Sequence, residues 1–354
     1  MIELSDVYKV VVAMVPLYVA LLLGYGSVKW WHMFTPDQTD AINRMNCYFI
    51  MPLFTFEFTT HLNPFKMNYL FVAGDVISKC VIGVMLGVWV YFFNGSFEWC
   101  ITGFSMSTIN NTLIVGVPLM RAMYGALGED LVVQSAVLQS IIWIMILLFM
   151  LEVRRARRDF DSVSAIEMSG KDLEGNHRVQ EIDVSVVRPS AWAVMKTVLG
   201  KLAKNPNCYA CIAGLAWAFL AARWHFDMPS IMEGSILIMS KAGTGTSMFC
   251  MGLFMASNDK IIACGAKATM VGMILRFIAG PLSVGIACIA VGLRGDALRI
   301  AIVQSALPQA VATFIYAKEY GLHTNVISTA VIFGTVVSLP ILIGYFAVLD
   351  LIQI

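Results

Sequence analysis

Residues 105–120 read Ser105-Met106-Ser107-Thr108-Ile109-Asn110-Asn111-Thr112-Leu113-Ile114-Val115-Gly116-Val117-Pro118-Leu119-Met120. Apolar residues flank this stretch on both sides, yet its centre holds Thr108, Asn110, Asn111 and Thr112. These side chains compete for nearby backbone groups and favour helix starts over helix interiors. A membrane-spanning helix is therefore expected to break near Asn110. In hydrocarbon each unpaired backbone amide costs several kcal/mol, so a break persists only where protein buries it or where it lines a cavity. The half-helix that starts at the break would point free N–H groups and a partial positive charge at the membrane midplane, which suits an anion. A polar helix–helix contact, with asparagine as the glue, fits the stretch alone equally well.

Composition sets the class around that stretch. Of 354 residues 58% are hydrophobic and 13% charged, with a mean hydropathy of +0.76; soluble domains carry about 25% charged residues. This is a polytopic membrane protein. Its net charge of +1, with no basic stripe interleaved with aromatics, excludes nucleic acid as a partner. The eight cysteines are scattered, mostly in apolar runs, and imply no disulfide framework. Cys208 and Cys211 have C-x-x-C spacing without a second pair or a nearby histidine, which reads as packing rather than zinc. No phosphate-binding loop, nucleophile–base pair or metal spacing among the five histidines is present. Neither an enzyme nor an ATP-driven pump is expected, and no cofactor or metal.

In chain order, the first apolar run continues to about Val28 without a basic leader or a cleavage site, so it reads as a spanning helix kept in the mature protein. Further spans are expected at Ala41–Thr60, kinked by Pro52, at Tyr69–Phe93, at the broken Ile101–Tyr124 and at Leu131–Val153, each near the length a bilayer requires. A polar linker follows, opening Arg154-Arg155-Ala156-Arg157-Arg158. It continues to about Lys204 without sustained periodicity, with a short amphipathic approach over Trp192–Leu202. Its arginines abut the fifth span and place it in the cytosol. Five more spans are expected at Cys208–Ala222, Ile231–Ala256, Ile261–Val291, Leu298–Ala317 and Val326–Leu349.

The expected fold is thus all-α and polytopic. Residues 1–153 form one five-helix membrane repeat, 154–204 a linker and 205–354 a second repeat. An odd number of spans inverts the second half relative to the first, as in many secondary transporters. The ninth span is interrupted at Gln304-Ser305-Ala306-Leu307-Pro308-Gln309-Ala310-Val311-Ala312-Thr313, the position corresponding to the break in the fourth. Two interrupted helices in matching positions point to a binding site more strongly than either one.

Charges within the spans come next, because they are expensive there. Asp75 and Lys79 lie four residues apart on one helical face, either as a structural ion pair or as a switch. Lys241 and Arg276 are the other deep cations, while Lys29, Arg121, Arg223, Arg294 and Lys318 snorkel to helix ends. The Gly83/Gly87 step and the Gly243/Gly245 pair read as close helix packing.

Several stretches together resemble the plant PIN-formed auxin efflux carriers: Val15-Pro16-Leu17-Tyr18-Val19, Asn63-Pro64-Phe65-Lys66-Met67, Asn111-Thr112-Leu113 with Gly116 and Pro118, Asn205-Pro206-Asn207-Cys208-Tyr209, Ala306-Leu307-Pro308-Gln309, Ala317-Lys318-Glu319-Tyr320 and Ser328-Thr329-Ala330-Val331-Ile332-Phe333-Gly334. The resemblance covers nearly the whole chain outside the linker. That linker is far shorter than the central loop of the plasma-membrane members, so the chain is similar to the short-loop, endoplasmic-reticulum type. The resemblance implies an elevator-like carrier in the lipid bilayer, usually a homodimer. Helices one, two, six and seven would be its scaffold, and three to five with eight to ten its moving part. It implies that the indole-3-acetate anion binds where helices four and nine cross. Asn111 would contact the carboxylate, Asp75 and Lys79 would support the site, and Met51, Leu113 and Asn207 would form its wall. The crossover itself would involve Asn110, Pro308, Gln309 and Thr313.

Two departures stand out. Many members have proline where Asn110 stands and a Val-Pro-Phe run where this chain has Ala312-Thr313-Phe314, so both breaks must be held by other means. Lys241 stands where many relatives carry an acid. A sodium- or proton-coupled carrier of another organic acid, or a non-transporting membrane receptor, would share much of this pattern.

Overall fold

The computed structural model describes residues 4–171, 191–258 and 262–352. The described residues form helices α1 (Leu4–Lys29), α2 (Pro36–Met45), α3 (Met51–Thr60), α4 (Tyr69–Phe92), α5 (Phe97–Thr108), α6 (Val117–Leu138), α7 (Ile144–Lys171), α8 (Ala191–Leu202), α9 (Pro206–Trp224), α10 (Ser230–Ala256), α11 (Ala266–Ile274), α12 (Gly280–Ala290), α13 (Asp296–Ser305), α14 (Val311–Glu319) and α15 (Thr324–Ile352). Helix starts follow local sequence. Thr35 and Gln38 close a capping box over Pro36, and Asn68, Ser96 and Asn205 accept backbone N–H groups at the starts of α4, α5 and α9.

Among the described residues, five continuous helical stretches are long and apolar enough to cross a membrane: Tyr8–Lys29, Tyr69–Phe92, Thr112–Arg158, Ala266–Ala290 and Thr324–Ile352. Helices α5, α13 and α14, at 12, 10 and 9 residues, fall well short of the roughly 20 residues a span needs. They are the halves of interrupted segments. Large apolar side chains point outward, among them Val84, Met85, Tyr91, Phe92, Ile238, Leu282 and Ile286, which marks a surface solvated by lipid rather than water.

Among the described residues, four π-helical turns interrupt the α-helical ladder, at Asn46–Ile50, Thr112–Gly116, Gln139–Trp143 and Leu275–Ala279. Three of them end two residues before a proline, namely Pro52, Pro118 and Pro281. Proline lacks an N–H and its ring collides with the carbonyl four residues back, so widening the preceding turn relieves the clash. Near Pro281 the carbonyl so freed is that of Phe277, and the Tyr345 hydroxyl donates to it at 2.5 Å. The distortion expected at Pro52 accordingly lies ahead of it, in the Asn46–Ile50 turn.

Glycines set the closest packing. α1 and α10 meet where Gly24 lies against the Phe249 carbonyl and Gly252 against the Leu21 carbonyl, so no Cβ fits at either. Gly243 packs on the Phe54 ring as expected, but a Cβ at Gly245 or at Gly87 would meet nothing within 4 Å, so neither serves the close packing expected of it. The Gly83/Gly87 step therefore does not act as a packing seam among the described residues.

The segment after Val153 differs from the expected unstructured linker. α7 continues through Arg154 to Lys171, because Arg, Ala, Glu and Lys are good helix formers and nothing breaks the run. The remaining linker residues 172–190 lie outside the described part, and α8 coincides with the amphipathic approach. At the same end of the bundle, Arg154 Nε and Nη2 both donate to Glu98 Oε1 at 2.7 Å, and Arg154 Nη1 donates to the Tyr320 carbonyl at 2.9 Å. The Tyr320 hydroxyl donates to Glu152 at 2.5 Å. His323, with φ of 42°, sits 2.9 Å from Thr102 Oγ1 and stacks 4.1 Å from the Trp99 ring. Burial, ahead of the Arg154 charge, lowers the His323 pKa, and Glu98 partly opposes this.

Candidate functional site: the crossing of two broken helices

α5 ends at Thr108 and the chain runs extended through Ile109 before the Thr112–Gly116 turn leads into α6; α13 ends at Ser305 and the chain runs to Ala310 before α14 begins. The two breaks meet in one antiparallel bridge, Asn110 with Gln309. The Asn111 amide donates to the Pro308 carbonyl at 2.8 Å, and the Ala310 amide to the Ile109 carbonyl at 3.4 Å. Each break thus satisfies part of the other's backbone, as hydrocarbon surroundings demand.

Arg276 holds the crossing together. It is 1% exposed and is placed by the π turn Leu275–Ala279. Its Nε donates to the Leu307 carbonyl at 2.6 Å, Nη1 to the carbonyls of Met106 at 3.0 Å and Ile109 at 3.4 Å, and Nη2 to the Ser305 carbonyl at 3.4 Å and to Asn110 Oδ1. Those carbonyls lie at the C-terminal ends of α5 and α13, where helix dipoles are negative and four carbonyls go unpaired. One guanidinium therefore caps both incoming half-helices, supplying the restraint that prolines at the breaks would otherwise give.

Asn110 is fully engaged. Its Nδ2 donates to the Gln304 carbonyl at 2.9 Å, its backbone N–H donates to Gln139 Oε1 at 2.8 Å, and its carbonyl accepts from Gln139 Nε2 at 2.7 Å. Asn111 differs. Its carbonyl accepts from the amides of Val115 and Gly116, but its side-chain Nδ2 is buried with no partner. Among the described residues, the amides of Leu113 and Ile114 likewise find no acceptor. The negative helix ends are sealed by Arg276, whereas the positive end of the outgoing half-helix is left with free donors. That asymmetry favours an anion. Two buried acceptors, Gln304 Oε1 and Gln309 Oε1, are also unpartnered there; Gln309 Nε2 donates to the Ser105 carbonyl and Thr313 Oγ1, both at 3.0 Å.

The charged pair adjoins this site. Lys79 Nζ lies 2.9 Å from Asp75, and Trp143 Nε1 donates to Asp75 Oδ2 at 3.2 Å with its ring centroid 5.2 Å from the lysine nitrogen. Trp143 and Gln139 share one π turn, so a single element grips both the pair and the Asn110 backbone. Leu113 lines a crevice with Thr55, Thr59, Val137 and Cys211 that is too narrow for water. Thr55 in turn donates to Asn207 Oδ1 at 2.6 Å. Met51, one turn before Thr55, receives the Ser247 hydroxyl at 2.9 Å. The crevice shares Val133 with a cleft of about 280 Å³ lined by Glu57, His61, Arg121, Glu129 and Asp130.

The sequence singled out Arg276 without assigning it work, and it did not single out Gln139 or Trp143. A glutamine inside an apolar run was the available signal. Lys241, expected deep, is exposed on α10. No group of histidine, cysteine or carboxylate side chains suited to a metal occurs among the described residues.

A multi-pass helical protein whose two broken helices cross around unpaired donors has the architecture of a membrane transporter, and residues 9–346 match the family described as "Membrane transport protein". The chain is 57% identical over 354 residues to auxin efflux carrier component 5 of Arabidopsis thaliana, covering 100% of both. It is 39% identical over 367 residues to component 8 of the same plant (99% and 100% covered) and 30% over 570 residues to component 6 (99% and 100%). The chain belongs to the auxin efflux carrier family, in its short-loop branch, and is a transporter rather than an enzyme.

Proposed function

We propose that this chain carries the indole-3-acetate anion across an intracellular membrane, that of the endoplasmic reticulum, removing it from the cytosol without ATP. The observation that carries the reading is the unpaired Nδ2 of Asn111, which lies beside the free amides of Leu113 and Ile114 at the crossing. A carboxylate accepts hydrogen bonds from such a set. Asn111 contacts the substrate, Leu113, Met51 and Asn207 form its wall, Asp75 and Lys79 support it, and Asn110, Pro308, Gln309 and Thr313 keep the crossing open to it. The two membrane halves, 1–153 and 205–354, are inverted repeats joined by a cytosolic linker, and the protein works as a homodimer in which the crossing moves past a scaffold. Burial of Asn111 at 4% exposure accords with a closed resting state that opens by such a movement. Radiolabelled indole-3-acetate uptake by vesicles holding the purified protein tests this. Saturable uptake indifferent to sodium and proton gradients supports it. Uptake that collapses without an ion gradient would favour a coupled symporter, and binding without uptake a receptor.

A further inference from the structure

The buried charged side chains among the described residues are Asp75, Lys79, Glu152, Arg154 and Arg276. Glu152 and Arg154 belong to the cluster with Glu98 and Tyr320 at the far end of α7. Asp75 and Lys79 neutralise each other at 2.9 Å. Arg276 is left over. Its partners are four backbone carbonyls and the Asn110 amide oxygen, all formally neutral, and among the described residues no carboxylate lies within 4.0 Å of it. Arginine does not deprotonate in proteins, so the crossing holds one uncompensated positive charge. Charges buried without a partner are costly; the two helix C-termini, about half a negative charge each, offset that cost locally, but a dipole adds no net charge, so the crossing as a body still carries one positive charge.

We propose that Arg276 is the resident counter-charge of the transported anion: the crossing carries a net charge of one when empty and none when a monovalent anion is seated. This rests on the carrier reading above. Arg276 binds both broken segments, so it travels with whatever body carries them. The empty carrier then moves charge through the membrane field as it reorients, and the loaded carrier does not. One charge crossing 100 mV shifts an equilibrium roughly fiftyfold, and half of the field about sevenfold. Arg276 acts here as a positioning residue, through the electrostatics of the site rather than by touching substrate.

The test uses the intact protein in supported membranes, with voltage steps applied first without substrate and then with saturating indole-3-acetate on both sides. The expected result is a transient charge movement in the empty carrier, suppressed at least fivefold by the anion, with radiolabelled exchange indifferent to voltage. Arg276→Lys, which retains the charge, keeps the transient, and Arg276→Gln abolishes it; the wild-type comparison stands even if these variants fold poorly. An electrically silent empty carrier with voltage-dependent exchange would overturn this inference alone. Absence of any exchange flux would overturn the carrier reading and this inference with it.

Discussion

The Arg276 guanidinium donates to the side-chain oxygen of Asn110 while the same group caps the last carbonyls of α5 and α13. Asn110 therefore belongs to the frame of the crossing, and Asn111, its neighbour, is left with a free donor.

Gln139 is the other half of that frame. Gln139→Leu leaves the Asn110 N–H buried and unpaired and its carbonyl with only the Thr112 hydroxyl at 3.3 Å, and one such orphan costs about 1–3 kcal/mol. The expected loss is about 1–3 kcal/mol of stability, read as a lowered melting temperature in detergent. Ser140→Ala beside it should stay within about 0.5 kcal/mol.

Asp75→Asn should impair transport far more than Lys29→Gln. It strands Lys79, which is 3% exposed, and breaking a buried pair costs about 3–5 kcal/mol. Adding Lys79→Met should return more than half of that stability, since the two changes are not additive. If stability returns and flux does not, the pair serves the transport cycle as well as the fold.

His323 gives a pH dependence of defined sign. Its pKa in the folded protein is depressed, chiefly by burial, so the unfolded chain takes up the proton first. Stability from this group is full above the unfolded value near 6.5 and is lost as pH falls through the lower folded value. Melting temperatures from pH 7.5 to 5 should fall more steeply for the wild type than for His323→Asn, which tolerates the positive φ at this position. Parallel curves would contradict the assignment.

The breaks were legible because asparagine, threonine and proline inside apolar runs announce a helix that cannot continue, and the Asp75–Lys79 pair because its partners are one turn apart. The clamp was not. Arg276 reaches carbonyls 31 and 167 residues away, and an arginine in an apolar run reads the same whether it snorkels to lipid or laces a crossing. Gln139, a polar side chain in an apolar run, was a signal without a partner, and the π turns that aim both residues leave no mark in periodicity, though Pro281 follows the one that holds Arg276. Polarity after Arg154 suggested an unstructured linker, although polar residues of high helix propensity extend α7 to Lys171. The sequence marks Asn110 only as a member of the crossover; its bonds to Arg276 and to the Gln304 carbonyl mean that its removal takes one acceptor from a buried guanidinium, which keeps its four carbonyls, and leaves the Gln304 carbonyl without that donor.

The most direct measurement is calorimetric binding of indole-3-acetate to folded, matched preparations of wild type, Asn111→Ala and Asn110→Ala, with melting temperatures recorded on the same samples. A hydrogen bond to a charged group contributes roughly 1.5–3 kcal/mol, so Asn111→Ala should weaken binding about ten- to a hundredfold. Its melting temperature should not change, because Nδ2 has no partner in the empty protein. Asn110→Ala should lower the melting temperature while the folded fraction binds within about threefold of wild type. Affinity lost at Asn110 and retained at Asn111 would contradict the account.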